Sequence, residues 1–255
     1  MKNAIFIGLF LIVTVFSYAQ NGTVEVVCEN LTPYFTETLS DDGIMGSIVR
    51  EAFKNAGYQV HFNYVPYARA LLYFKEGKYP LHLGTSTVFQ NDPISDKIIS
   101  ESLFNVTWRF FTYDKPMPKY TSLKDLKGYK IGTYIGSIEN DILISNDITP
   151  EAKTSMDTLV QMLKINRLDL VSILDVAFVQ KARELFPTEY QKFAQSKPII
   201  TVDASVMFTK TNPEGEKLSN IFKFEVAKLI KNGFVLRSLE RYYGKGNVPE
   251  DVYKQ

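Results

Sequence analysis

Side chains that could carry covalent catalysis or bind a transition metal are scarce in this chain. It has one cysteine, Cys28, and two histidines, His61 and His82, and all three stand in runs that predict strands. Walker-type, HExxH and CxxC motifs do not occur in it. A histidine-based triad is therefore poorly provided for, and Cys28 is expected to be a buried, unreactive thiol. We expect no metal site, no cofactor and no catalytic residue.

Hydroxyl groups that could hold a polar ligand stand where predicted strands end. Thr85, Ser86 and Thr87 directly follow a short apolar run, and clustered hydroxyl and amide groups at such a turn can bind a polar molecule. Gly136 and Ser137 precede a helical pattern, where glycine permits close approach to the backbone and serine can cap the helix or bind an anion. A plain turn and a simple helix cap are the alternative interpretations.

Charge excludes one class of function. The 255 residues carry 29 basic and 28 acidic side chains, and no run of lysine or arginine stands out. Nucleic-acid binding usually requires a basic patch, so we expect no nucleic-acid partner.

The N-terminus predicts export. Lys2 precedes an almost wholly apolar run over residues 4–15, and Ser17 and Ala19 offer small residues where a signal peptidase cleaves. The run is short for a membrane span, although an N-terminal anchor is the alternative. We therefore expect a signal peptide over residues 1–19 and a periplasmic mature protein.

Strand and helix patterns alternate along the mature chain, which predicts an α/β fold with parallel pairing. The first round has strands near residues 24–28, 60–64 and 81–84, with helices between them. A long β-type run over residues 106–113 ends at a proline-containing linker over residues 114–118. A second round follows, and a long amphipathic helix covers residues 218–230. Two such rounds suggest two lobes.

Taken in order, these pieces resemble the family 3 solute-binding proteins, the receptors of polar amino-acid ABC importers. The resemblance rests on the segments at residues 33–35, 46–57, 65–71, 84–87, 123–128, 131–132 and 136–137. It implies a type II periplasmic binding fold with two hinge strands and the ligand in the cleft between the lobes. Residues 22–112 plus 203–255 would form lobe 1, and residues 113–202 would form lobe 2.

The resemblance also implies a non-enzymatic role. A monomeric receptor would capture a small polar solute, either amino-acid-like or another small carboxylate, and deliver it to the membrane permease of an ABC importer. Tyr34 and Tyr67 would wall the ligand slot, with ordinary packing as the alternative. Asp175 lies near the position of an acid that holds the ligand's ammonium group, although Leu174 fits that position equally well.

The main difference from the family is the absence of an arginine at one position. The receptors carry an arginine shortly after the serine/threonine loop, which clamps the ligand's carboxylate. Here residues 88–93 contain none. Arg69 is the nearest alternative, with a structural ion pair as its other interpretation, and Arg109 is a weaker substitute.

Two other functions stay open. Some proteins of this fold dehydrate cyclic acids such as prephenate, which requires a general acid in the cleft. Glu29, Asp92 and Asp175 are the candidates. A ligand-sensing module is the third interpretation.

Overall fold

The computed structural model describes residues 21–135 and 137–253. The predicted signal peptide lies outside this range. The described strands are β1 (Gly22–Cys28), β2 (Tyr58–Tyr64), β3 (Leu81–Gly84), β4 (Ile98–Tyr113), β5 (Ile131–Tyr134), β6 (Glu151–Lys153), β7 (Leu170–Leu174), β8 (Phe193–Gln195) and β9 (Ile200–Thr209). The described α-helices are α1 (Gly43–Asn55), α2 (Tyr67–Lys75), α3 (Ile138–Ser145), α4 (Met156–Lys164), α5 (Asp175–Leu185), α6 (Gly215–Lys231) and α7 (Phe234–Tyr243).

All nine strands belong to one mixed sheet. Its order is β2-β1-β3-β9-β4-β7-β5-β6, and β8 pairs with β4 off this path. β1 pairs in parallel with β2 and β3, and β5 pairs in parallel with β6 and β7. The predicted α/β class with parallel pairing is confirmed. None of the described helices combines the length and the apolar character needed to cross a lipid bilayer.

β4 and β9 join the two parallel sets. Both are longer than the sequence pattern indicated, and they pair antiparallel over most of β9. On the far side, β9 pairs with β3 and β4 pairs with β7. The first set thus attaches to one end of the central pair and the second set to the other.

The strand register makes the two parallel sets point toward each other. The carboxyl end of β3, at Gly84, lies opposite Ser205, which in turn lies opposite Ser102 of β4. The carboxyl end of β7, at Leu174, lies opposite Trp108 of β4. The part of β4 between Ser102 and Trp108 spans about 20 Å of extended chain. The loops after both sets therefore face one another across the middle of β4 and β9.

The apolar core is divided along the same line. The largest cluster joins the first set to α1, α6 and α7 and includes Phe53, Phe104 and Phe222. Separate clusters under the second set include Phe110 and Phe111. The chain therefore enters the second half of the sheet before Thr112, where the sequence placed the lobe boundary.

Among the described strands and α-helices, four escaped the sequence analysis: β6, β8, α5 and α7. α5 begins at Asp175, directly after the predicted strand. β6 and β8 have three residues each, which is too short for a periodic pattern. α7 begins directly after Gly233, which the sequence suggested as the end of a helical stretch. Gly233 has a φ of 75° and closes α6, so one glycine both stops a helix and precedes the next.

Candidate functional site

The hydroxyl run after β3 stands at the edge of the space between the two strand sets. It forms a short 3₁₀ turn over Ser86–Phe89 with Thr85 as its N-cap residue. The Ser86 hydroxyl donates to Oδ1 of Asp203 on β9 at 2.9 Å, and the hydroxyls of Thr85 and Thr87 lie 3.1 Å apart. All three are partly exposed. They present polar groups next to an acidic side chain on the floor of this space.

Tyr67 and Arg69 begin α2 at the same edge. Tyr67 is 43% exposed. Arg69 is also exposed, and no carboxylate of the described residues lies within ion-pair distance of it. This placement disfavours the structural ion pair and leaves the guanidinium accessible to an anion.

Glu29 follows β1 at this edge and was proposed from sequence only as a general acid. Burial raises the pKa of Glu29 to about 7, and its charge in turn helps to raise the pKa of Tyr67, second to burial. Asp92, the second candidate acid, pairs with Lys75, which lowers its pKa and keeps it ionised.

Tyr34 is placed in the core. It is buried in the cluster under the first set, stacks on Phe104 with ring centroids 6.4 Å apart, and has no hydrogen-bond partner for its hydroxyl among the described residues. Burial, with a smaller effect from Asp175, raises the pKa of Tyr34. In this conformation Tyr34 packs against the core and offers no exposed wall.

Asp175 is held in a buried network. It is 1% exposed at the start of α5. One carboxylate oxygen accepts from the Thr107 hydroxyl and from Nε of Arg109 at 3.2 Å. The other accepts from the Val176 amide at 2.6 Å and from the Tyr243 hydroxyl at 2.8 Å. Both oxygens are occupied by the protein itself, which leaves little capacity for a ligand's ammonium group.

Arg109 is committed to the same network. It is 4% exposed, and its second nitrogen pairs with Asp251 while its third donates to the Ser196 carbonyl at 3.3 Å. Its guanidinium therefore ties β4, α5 and the C-terminal segment together. Arg109 has no free face with which to replace the missing clamp arginine.

The second strand set contributes Ser137 and Glu139 at the start of α3. Gly136 lies outside the described residues. The Ser137 hydroxyl donates to the Tyr134 carbonyl at 2.6 Å and does not cap the helix. Glu139 is 1% exposed, and neither carboxylate oxygen has a hydrogen bond of acceptable geometry among the described residues.

The buried position of Glu139 affects its protonation. Burial raises the pKa of Glu139 to about 7, although Ser137, its own amide and the Trp108 indole lie near enough to act in the opposite direction. Trp108 lies in the stretch of β4 toward which both strand sets point. Sequence reasoning missed Glu139, since a glutamate in the first turn of a helix is ordinary.

Of the remaining reactive side chains, His82 and Cys28 are buried in the first strand set, whereas His61 on β2 is exposed. His82 is fully buried, its Nδ1–H donates to the Val27 carbonyl at 2.9 Å, and burial lowers its pKa to about 4. Burial raises the pKa of the Cys28 thiol. His82 is therefore neutral near pH 7, and Cys28 is a thiol and a poor nucleophile.

We predict that Arg109→Met destabilises the fold by about 3–5 kcal/mol, because it leaves the Asp175 carboxylate buried without its cationic partner. Urea unfolding measures the loss. Lys127→Met is the control, since it breaks an exposed pair with Asp147 and should cost about 1 kcal/mol or less. Equal losses in the two variants would contradict the structural role of Arg109.

We predict that Glu139→Gln makes the ligand-free protein more stable at pH 8 than the wild type, by up to about 3 kcal/mol. A carboxyl with a pKa of about 7 in the folded state and about 4.5 in the unfolded state favours folding when protonated. Wild-type stability should thus fall, relative to the variant, as the pH rises from about 4.5 to about 7. Urea unfolding at pH 5 and pH 8 tests this, and a constant difference would contradict it.

Comparison with known proteins gives a fold and no family assignment. No family model and no curated protein matches the chain. Solved structures do match, at low identity. The GluR0 ligand-binding core from Nostoc punctiforme in complex with L-glutamate has 13% identity and a TM-score of 0.65, with 87% of this chain and 99% of that chain covered.

Two further structures agree. The L-cystine solute receptor of Neisseria gonorrhoeae, unliganded and open, has 15% identity and a TM-score of 0.63, over 90% of this chain and 97% of that one. A histidine kinase sensor domain with similarity to periplasmic binding proteins has 15% identity and a TM-score of 0.64, over 87% and 96%. The chain thus has the two-lobed fold of the periplasmic binding proteins.

Proposed function

We propose that this chain is a periplasmic solute-binding protein that captures a small polar solute by closing two lobes around it. The observation that carries the proposal is the convergence of both parallel strand sets on the middle of β4 and β9. Ligands of α/β sheets bind outside the carboxyl ends of strands, and here two such edges face each other with polar side chains on both.

In this proposal each strand set forms one lobe. The sequence placed lobe 1 at residues 22–112 with 203–255 and lobe 2 at residues 113–202, but Phe110 and Phe111 pack under the second strand set, so we place the crossing earlier, within β4. The two connections between them are the middle of β4 and the start of β9, where the chain passes from one strand set to the other. A solute that touches both lobes has more contacts in the closed state, so it shifts the population toward closure.

The solute is amino-acid-like or another small carboxylate. Lobe 1 supplies Tyr67, Arg69 and the hydroxyl run Thr85-Ser86-Thr87, and lobe 2 supplies Gly136 and Ser137. The matched structures include a glutamate complex and an L-cystine solute receptor, which supports a solute of this size and polarity. Arg69 is the anion-binding group, because it is accessible and has no ion pair among the described residues.

Delivery to an ABC-type permease is the proposed output, and the export pattern at the N-terminus supports a periplasmic location. The closed form would be the one that the permease binds. The match to a kinase sensor domain supports signalling as an alternative output of the same binding event.

We predict that a cognate solute lowers the radius of gyration and raises the melting temperature without being chemically changed. Stabilisation should reach about 2.7 kcal/mol when free solute exceeds its dissociation constant a hundredfold. Small-angle scattering and thermal unfolding measure both effects across amino acids, small carboxylates, polyamines and short peptides. Tight binding without compaction would contradict closure.

We predict that Arg69→Met weakens binding of a carboxylate solute by about 2–5 kcal/mol, because the solute's anion loses its charged partner. Titration calorimetry measures the change. Arg167→Met is the control: Arg167 is exposed and precedes β7 at the sheet edge opposite the loops. If both variants bind normally, Arg69 does not contact the solute.

The raised pKa of Glu29 supports a second candidate function, which is dehydration of a cyclic acid of the prephenate type. A general acid must hold a proton near neutral pH, and the pKa of Glu29 is raised to about 7 by burial. Incubation with prephenate, followed by detection of the aromatic product, tests it. Turnover in the wild type that Glu29→Gln abolishes would establish the enzyme, and no turnover would leave binding as the function.

A further inference from the structure

Two carboxylates stand at the starts of helices in the second strand set, and they differ in their hydrogen bonds. Asp175 begins α5 and is bonded at both oxygens. Glu139 lies in the first turn of α3, is equally buried, and has no hydrogen bond of acceptable geometry to the described residues. Burying a carboxylate without partners costs free energy that a merely structural residue would avoid.

A capping role does not account for Glu139. Ser137 is the N-cap residue of α3, and a capping box would place the acid three residues later, at Asn140. The chain shows such a box elsewhere, where Ser122 and Asp125 bond each other's backbone amides. Asn140 instead accepts a hydrogen bond from the Thr133 hydroxyl at 3.0 Å. Neither Glu139 oxygen has a hydrogen bond of acceptable geometry to the described residues, so both retain the capacity to accept from a solute.

The position of Glu139 puts that donor in the cleft. α3 follows β5, whose carboxyl end lies at the same edge as that of β7 because the two strands are parallel. Trp108, whose indole lies near the Glu139 carboxyl, pairs with the last residue of β7 and with the first residue of β9. The carboxylate thus stands beside the floor of the space between the lobes.

We propose that Glu139 is the residue of lobe 2 that binds the cationic group of the solute, in the role that the sequence assigned to Asp175. This deepens the proposed function and rests on it. The solute then carries an ammonium or guanidinium group, whose N–H donors satisfy the buried oxygens. Arg69 on lobe 1 would hold an anionic group, so the two lobes would grip opposite charges.

Protonation provides an independent signature. A cation binds the carboxylate form, and the pKa of Glu139 in the free protein is about 7. Affinity for a cationic solute should fall about tenfold per pH unit below 7. Burial is the main cause of the raised pKa of Glu139. Asp141 of the same helix is a charged group that also raises it, while the neutral groups of Trp108 on β4 and Ser137 lie near enough to lower it. Glu29 of lobe 1 titrates in the same range and is tested separately.

The main probe is L-arginine. Two relatives each lack one of its charged groups: agmatine lacks the carboxylate, and 5-guanidinopentanoate lacks the α-amino group. The other standard amino acids and the dianions succinate and glutarate complete the set. Calorimetry and thermal shift at pH 8 and pH 5.5 compare the wild type with Glu139→Gln, Glu29→Gln and the control Asp141→Asn. Asp141 is exposed on α3, so its variant preserves the Glu139 carboxyl while removing a nearby charge.

We expect the probes that bind the wild type to carry a cationic group. Glu139→Gln should weaken them by about 10- to 100-fold at pH 8 and remove part of the pH dependence, whereas Asp141→Asn should retain affinity within about threefold. Retained cation affinity in Glu139→Gln, or binding of the dianions alone, overturns the assignment of Glu139 while solute capture stands. If no probe binds or compacts the wild type, the assignment is rejected together with the proposed function for these classes of solute.

Discussion

The antiparallel pairing of β4 with β9 is the constraint on which the rest of the molecule depends. Each of these strands also pairs with one of the two parallel sets, so the direction of each set is dictated by the central pair. Because β3 and β7 attach at opposite ends and both run antiparallel to their central neighbour, their carboxyl ends must face each other. Helix N-termini and loop hydroxyls lie at those ends, so polar groups line the space between the two strand sets.

A buried hydrogen-bond network around Arg109 stabilises this arrangement of the strands. Arg109 and Thr107 lie on β4 and donate to Asp175 at the start of α5, while the Tyr243 hydroxyl of α7 donates to the same carboxylate. Asp251 closes the network from the C-terminal segment. A fully bonded group of this kind favours one local arrangement around β4, because breaking the pair with Arg109 leaves the buried Asp175 carboxylate without its cationic partner. It therefore sets where α5 and α7 stand relative to the strands that cross between the lobes.

The order of helices and strands could largely be predicted, because apolar periodicity and glycine stops are local signals. Leu81–Gly84 is found as predicted, and the long amphipathic helix extends the predicted residues 218–230 by a few residues at its start and one at its end. The partnership of Arg109 with Asp175 could not be predicted, since the two residues lie 66 positions apart and meet only through the pairing of β4 with β7. Tyr34 shows the same limit: a tyrosine beside a proline suits a ligand wall and a core equally, and only the stack on Phe104 distinguishes them.

Carboxylates at helix starts illustrate why a site needs the structure. Both Asp175 and Glu139 are acids in first turns, where the helix dipole favours negative charge, so residue type and position do not separate them. Satisfaction does. The oxygens of Asp175 are all bonded within the protein, whereas those of the equally buried Glu139 have no hydrogen bond of acceptable geometry among the described residues. A shift of one residue at the end of β7, between Leu174 and Asp175, changes which residue matches the acid of the family, whereas a buried acid without hydrogen bonds can be recognised without any alignment.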